Sequence, residues 1–92
     1  MYVEVREMFK FNIIAVDFDG TLCENQWPKI GAPNVRLIRH LKKMKSDGHK
    51  IVLWTCRTGS HLDEAIHWCK NQGLIFDKVN DNVDEVQDIF LS

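Results

Sequence analysis

Three apolar runs, each closed by polar residues, set the hydropathy pattern of this chain. Ile13–Val16 is continuously apolar, as a parallel strand is when both its faces are covered. It predicts a central strand over Asn12–Asp19. Ile51–Trp54, inside His49–Cys56, predicts a second strand, and Leu74–Asn80 a weaker third. Between the first two, Val35, Leu37, Ile38, Leu41 and Met44 recur at helical spacing. Asn34 is placed to cap that helix, and Asp47-Gly48 to stop it. Lys42, Lys43 and Lys45 fall on its polar side and toward its end, where cations suit the helix dipole. Leu62, Ala65, Ile66 and Cys69 mark a second helix, capped by Ser60 and closed by Gly73.

The remaining stretches are less regular. Leu22–Pro33 holds two prolines, a glycine and a tryptophan without a periodic partner, and reads as a loop. Met1–Phe11 alternates weakly at Val3 and Val5. Edge strand, helical turn and disordered lead-in all remain open there. Asp81–Ser92 interleaves acids with Val83, Val86, Ile89 and Phe90, a pattern for a short amphipathic helix. The order strand, helix, strand, helix, strand calls for right-handed parallel crossovers and an α/β sheet in one domain.

Composition narrows the function. The net charge of −1 gives no footprint for nucleic acid or an anionic membrane, and no stretch approaches the ~20 apolar residues of a span. The N-terminal residues lack the apolar core of a secretory signal. Cys23, Cys56 and Cys69 are odd in number and lack C-x-x-C spacing, so they read as reduced thiols of a cytoplasmic protein, without zinc. His61 and His67, six apart on a helix, do not share a face. His40 and His49 read as surface residues.

The chemistry gathers where the first strand ends. Asp17 and Asp19 follow the apolar run, separated by Phe18, and Gly20 permits a sharp turn. Were the strand to continue through them, both carboxylates would share a face, about 6–7 Å apart along the backbone. Two acids held that close call for a cation, and Mg²⁺, which takes oxygen ligands, suits them. At the end of the second strand, Thr55, Arg57, Thr58 and Ser60 run into a helix N-terminus, whose free N–H groups and dipole favour phosphate.

Asp17-Phe18-Asp19-Gly20-Thr21-Leu22 behind its strand resembles the first motif of the haloacid dehalogenase superfamily, and Thr55 sits where the second motif places its Thr or Ser. The likeness covers Ile13 to about Phe76. It implies a Rossmann-like parallel three-layer α/β/α sandwich, incomplete at its C-terminal side. It also implies Mg²⁺-dependent hydrolysis of a small phosphorylated substrate. Asp17 would be the nucleophile, and Asp19 would protonate the leaving oxygen and then activate water. The metal would take the Asp17 carboxylate and the Asp19 backbone carbonyl. Thr55 would bind the phosphoryl group. Arg57 reads either as an oxyanion or substrate contact or as a surface residue. The dozen residues after the first motif allow only a minimal cap.

Two motifs of that superfamily are not evident, its lysine and its final acidic pair, and Lys78, Asp81, Asp84 and Asp88 are not assigned to them. The strand that would precede the acidic pair is missing too. The edge of Ile13–Val16 is then expected to be open, inviting a second copy of the chain. Two further readings follow from the same residues. One is a non-catalytic truncated scaffold acting through association. The other is a phosphoacceptor domain resembling bacterial response receivers, although their acceptor aspartate usually ends the third strand.

Overall fold

The computed structural model describes the backbone of residues 3–8 and 11–81 and the side chains of residues 13–81. The amphipathic C-terminal helix expected from Val83, Val86, Ile89 and Phe90 lies outside the described residues. A four-stranded sheet runs in the order β1 (Val3–Met8), β2 (Phe11–Val16), β5 (Lys50–Leu53) and β6 (Lys78–Val79). β2, β5 and β6 are parallel, with Val16 opposite Leu53 and Leu53 opposite Val79. Helices α1 (Val35–Ser46) and α2 (Gly59–Asn71) connect them and pack on one face of the sheet. The described residues thus form a small mixed α/β fold.

The apolar runs act as the pattern indicates. Ile13, Ile14, Ala15 and Val16 are all at most 2% exposed, so both faces of β2 are covered. Ile14, Val16, Ile51 and Leu53 pack against Leu37, Ile38 and Leu41 of α1 and Ala65 and Cys69 of α2. Asn34 caps α1 as expected: its Oδ1 accepts from the Leu37 N–H at 3.2 Å. It also ties the helix to the first motif, donating through Nδ2 to the Thr21 carbonyl at 3.1 Å. Gly48 and Gly73 close the two helices with φ of 100° and 82°. Val35, by contrast, is more than half exposed rather than part of the core face.

Three expectations are corrected. The open edge of β2 is occupied by β1, antiparallel from Val3 opposite Val16 to Met8 opposite Phe11, so association through that edge loses its premise. The Leu22–Pro33 loop is a hairpin, β3 (Cys23–Gln26) against β4 (Lys29–Pro33), with a cis Trp27-Pro28 bond in its turn. Alternation is missing there because Glu24 to Lys29 are all exposed. Gly31 is required by the close approach of the two strands. A Cβ there would run into the Glu24 carbonyl oxygen and come within 2.8 Å of the Glu24 Cβ. The N-cap of α2 is Thr58, whose side chain makes no capping bond, and Ser60 lies inside the helix.

The third strand is far shorter than its apolar residues suggest, because Asp77 intervenes. Its backbone N–H donates to the Ile51 carbonyl, while its Oδ2 accepts from the Ile51 N–H at 2.8 Å. A side chain takes the place of a ladder carbonyl, and regular pairing begins only at Lys78. Lys45 adds an ion pair to the same oxygen at 3.1 Å, fixing the last turn of α1 to this corner.

Burial pushes the Cys69 thiol from its ordinary 9.0 up to about 12. Above pH 9 the unfolded chain loses that proton while the folded chain keeps it, so stability falls as pH rises from about 9 toward 12. The slope approaches ~1.4 kcal/mol per pH unit, about 4 kcal/mol across the window. Urea titrations of the chain and of Cys69→Ala at pH 8 and 10.5 should show a markedly shallower alkaline loss in the variant. Equal losses would show that another group controls the alkaline limb.

Candidate functional site

The parallel strands finish together, and their ends build the site. The Trp54 N–H donates to the Val16 carbonyl at 3.0 Å, continuing the β2–β5 register one residue further. Asp17 therefore leaves β2 level with the start of the Trp54–Arg57 segment. On the other side, Asn80 donates to the Leu53 carbonyl, and its Oδ1 accepts from the Thr55 N–H at 2.8 Å. Asp17, Thr55 and Asn80 thus stand at three adjacent carboxyl ends, where open α/β sheets bind ligands.

β2 does not continue to Asp19 as the pattern predicts. It ends at Val16, and the chain turns through Phe18, whose carbonyl accepts from the N–H groups of Thr21 and Leu22 at 3.1 and 2.9 Å. Phe18 is fully buried, edge-on to Trp68 with ring centroids 5.6 Å apart. The residue between the two acids thus anchors the turn in the core. Gly20, at φ 82°, completes it. The two acids have different partners. Asp17 is half-buried, and its Oδ1 accepts from the Phe18 N–H at 2.8 Å. Asp19 reaches toward Arg57.

The Arg57 interaction could not be read from spacing. Arg57 is 1% exposed, and its fork grips Asp19 at both oxygens: Nε–H to Oδ2 at 2.8 Å and Nη2–H to Oδ1 at 2.7 Å. Nη2 also donates to the Lys29 carbonyl at 3.1 Å, and Nη1 to the His61 carbonyl at 3.5 Å. Four of its five N–H groups are therefore engaged within the chain. The guanidinium carbon lies 5.0 Å from the Phe18 ring centroid and 4.9 Å from that of Trp27. The Asp19 hydrogen bond, more than any other influence, raises the guanidinium above its ordinary range. Of the two sequence readings, a surface residue is excluded, and the donors that a substrate contact needs are mostly turned inward. Arg57 joins the turn, the hairpin and α2.

A cleft of about 300 Å³ opens between the hairpin and the β5–α2 loop, walled by Asp19, Asn25, Trp27, Cys56 and Arg57. Asp17 and Thr55 are adjacent to it in the chain but do not line it. Thr55 Oγ1 accepts from the Arg57 N–H at 3.1 Å, which leaves its hydroxyl proton free to donate. Trp27 is half-exposed at the rim, tilted against His61 with centroids 4.9 Å apart. Cys56 is exposed, while Cys23 and Cys69 are buried, and all three are free thiols.

A likeness in the solved structures accompanies this geometry. A structure from Bacteroides thetaiotaomicron, described as that of a conserved protein coded by a locus of that organism, matches with a TM-score of 0.73 at 40% identity. The match covers 86% of this chain and 64% of that one, so this chain spans less than two thirds of its relative's length. The α/β fold is shared. No family model and no curated protein matches the chain.

The oxygen donors fit magnesium in part. Among the described residues no three His, Cys, Asp or Glu side chains form a metal-binding group. Mg²⁺ nevertheless needs only one or two protein carboxylates, with water and substrate oxygens completing the shell. Asp17 offers a carboxylate with one oxygen committed to the Phe18 N–H. The Asp19 carboxylate is held by Arg57, so the donor Asp19 can offer is its backbone carbonyl. No helix of the described residues is long and apolar enough to cross a membrane.

Proposed function

We propose that the chain is a haloacid-dehalogenase-like phosphatase, hydrolysing a small phosphorylated substrate through an aspartyl-phosphate on Asp17. On this reading the described α/β unit is part of a three-layer sandwich, and the β3–β4 hairpin serves as the minimal cap. The observation that carries it is the alignment of Asp17 and Thr55 at neighbouring carboxyl ends beside a cleft. Asp17 attacks phosphorus, the ester P–O bond breaks, and water then hydrolyses the aspartyl-phosphate. The Thr55 hydroxyl donates to a phosphoryl oxygen. Asp19 takes the proton of the attacking water, since each carboxylate oxygen can accept a further hydrogen bond beyond that from Arg57. The Asp17 carboxylate and the Asp19 carbonyl would hold Mg²⁺, which when bound would supply charge neutralisation between nucleophile and phosphate.

A second reading, a non-catalytic scaffold of the same fold, is favoured by the bidentate lock on Asp19. Release of phosphate from p-nitrophenyl phosphate separates the two. Turnover that needs magnesium and stops with EDTA is the expected result. Absence of turnover at every magnesium concentration would leave the scaffold.

A further inference from the structure

The cleft walled by Asp19, Asn25, Trp27, Cys56 and Arg57 takes no part in the attack on phosphorus, since neither Asp17 nor Thr55 lines it. Its charges are already paired. The Arg57 fork is spent on both Asp19 oxygens and on the Lys29 and His61 carbonyls, so a second anionic group of a ligand meets a closed ion pair. What the wall offers instead is a flat apolar surface. Trp27 is held by the Arg57 guanidinium, 4.9 Å from its ring centroid, and by the His61 ring at the same separation. It nevertheless remains 55% exposed, so much of the indole is left for a ligand to cover. Beside it, Asn25 Oδ1 accepts from the Trp27 N–H at 3.3 Å, which leaves the amide NH₂ to donate. A heteroaromatic ring answers both groups, its face against the indole and an edge acceptor on the amide. The volume of about 300 Å³ lies at the small end of ligand sites and suits one such ring.

We propose that this cleft is a nucleobase subsite in which Trp27 stacks on the ring. Resting on the phosphatase reading above, the substrates are then nucleoside monophosphates rather than sugar or alkyl phosphates. The phosphate lies toward Asp17 and Thr55 at the strand ends, and the base lies between the hairpin and the β5–α2 loop. Trp27 sets specificity without touching the reacting atoms. An aliphatic chain would cover the indole but leave the Asn25 amide to water. A polynucleotide fits less well, because the net charge of −1 supplies no attraction for a phosphate backbone and the cleft admits one ring.

The test compares adenosine and uridine monophosphates with ribose phosphate, which keeps the ester and lacks the base. Binding to the chain with magnesium is read by calorimetry, and phosphate release in parallel. Stacking on an aromatic side chain is worth about 5–150-fold per base by alanine substitution. At least one nucleotide should therefore bind more tightly than ribose phosphate by a factor in that range, and the preference should vanish in Trp27→Ala. Trp27→Phe, which keeps a ring, should retain most of it. Trp27→Leu, which keeps apolar bulk alone, should lose it. In turnover the same preference should appear in KM rather than in kcat. Equal affinity for ribose phosphate and both nucleotides would overturn the inference, and phosphate release from p-nitrophenyl phosphate would leave the phosphatase reading intact. Preference retained in folded Trp27→Leu would also overturn it, by showing apolar contact without stacking. Nucleotide binding through Trp27 with no phosphate release from any ester would uphold the subsite and defeat the phosphatase reading.

Discussion

Arg57→Met should destabilise the fold more than any other single change at the site. The variant keeps an unbranched side chain between Phe18 and Trp27 but leaves the Asp19 carboxylate, only 20% exposed, without its counter-charge. Removing one partner of a buried ion pair costs about 3–5 kcal/mol. Partial exposure of Asp19 places the expected loss near the lower end. The Lys29 and His61 carbonyls lose a donor as well, so the hairpin loses its pin to α2. In a chain of this length each kcal/mol corresponds to roughly 4–8 °C in Tm. Urea and thermal unfolding of Arg57→Met, Asp19→Asn and the double variant would measure the coupling. The double variant should be no less stable than Arg57→Met, because the orphaned charge is gone. A loss below about 1 kcal/mol in Arg57→Met would place the pair among weak surface contacts.

The second large effect concerns chemistry alone. Asp17→Asn should abolish magnesium-dependent phosphate release while leaving stability nearly unchanged. The amide oxygen of asparagine can still accept from the Phe18 N–H, so the local turn survives. On the proposed phosphatase reading, the nucleophilic oxygen and the anionic donor to the metal would both be lost. Removing the nucleophile from enzymes that form covalent intermediates costs about 10⁴–10⁶-fold in kcat. Full activity in a folded Asp17→Asn chain would remove Asp17 from the reaction and return attention to Asp19.

How much was legible in advance depends on the range of the forces involved. β2 and β5 follow from uninterrupted apolar runs, and α1 from its periodicity and the Asn34 cap, because those signals are local. The hairpin was hidden because most of its residues face solvent, so nothing alternates. Its one local clue was Gly31 a few residues after Pro28, and that reads equally well as a loop. Asp77 falls inside the third strand as the sequence reads and is instead a substitute for a backbone carbonyl. The Arg57–Asp19 pair joins residues 38 apart in the chain, and no spacing announces it. The acids themselves were correctly located at the strand end. The strand ends earlier than its pattern indicates, at Val16, since Phe18 is drawn into the core and turns the chain before Asp19.

The most direct measurement is the mass of the peptide containing residues 17–19 after acid quench of the chain turning over acetyl phosphate with magnesium. A phosphoryl adduct on Asp17, absent in Asp17→Asn, is the expected result. Phosphate release with no adduct on that peptide at any quench time, or an adduct carried by another residue, would contradict the account.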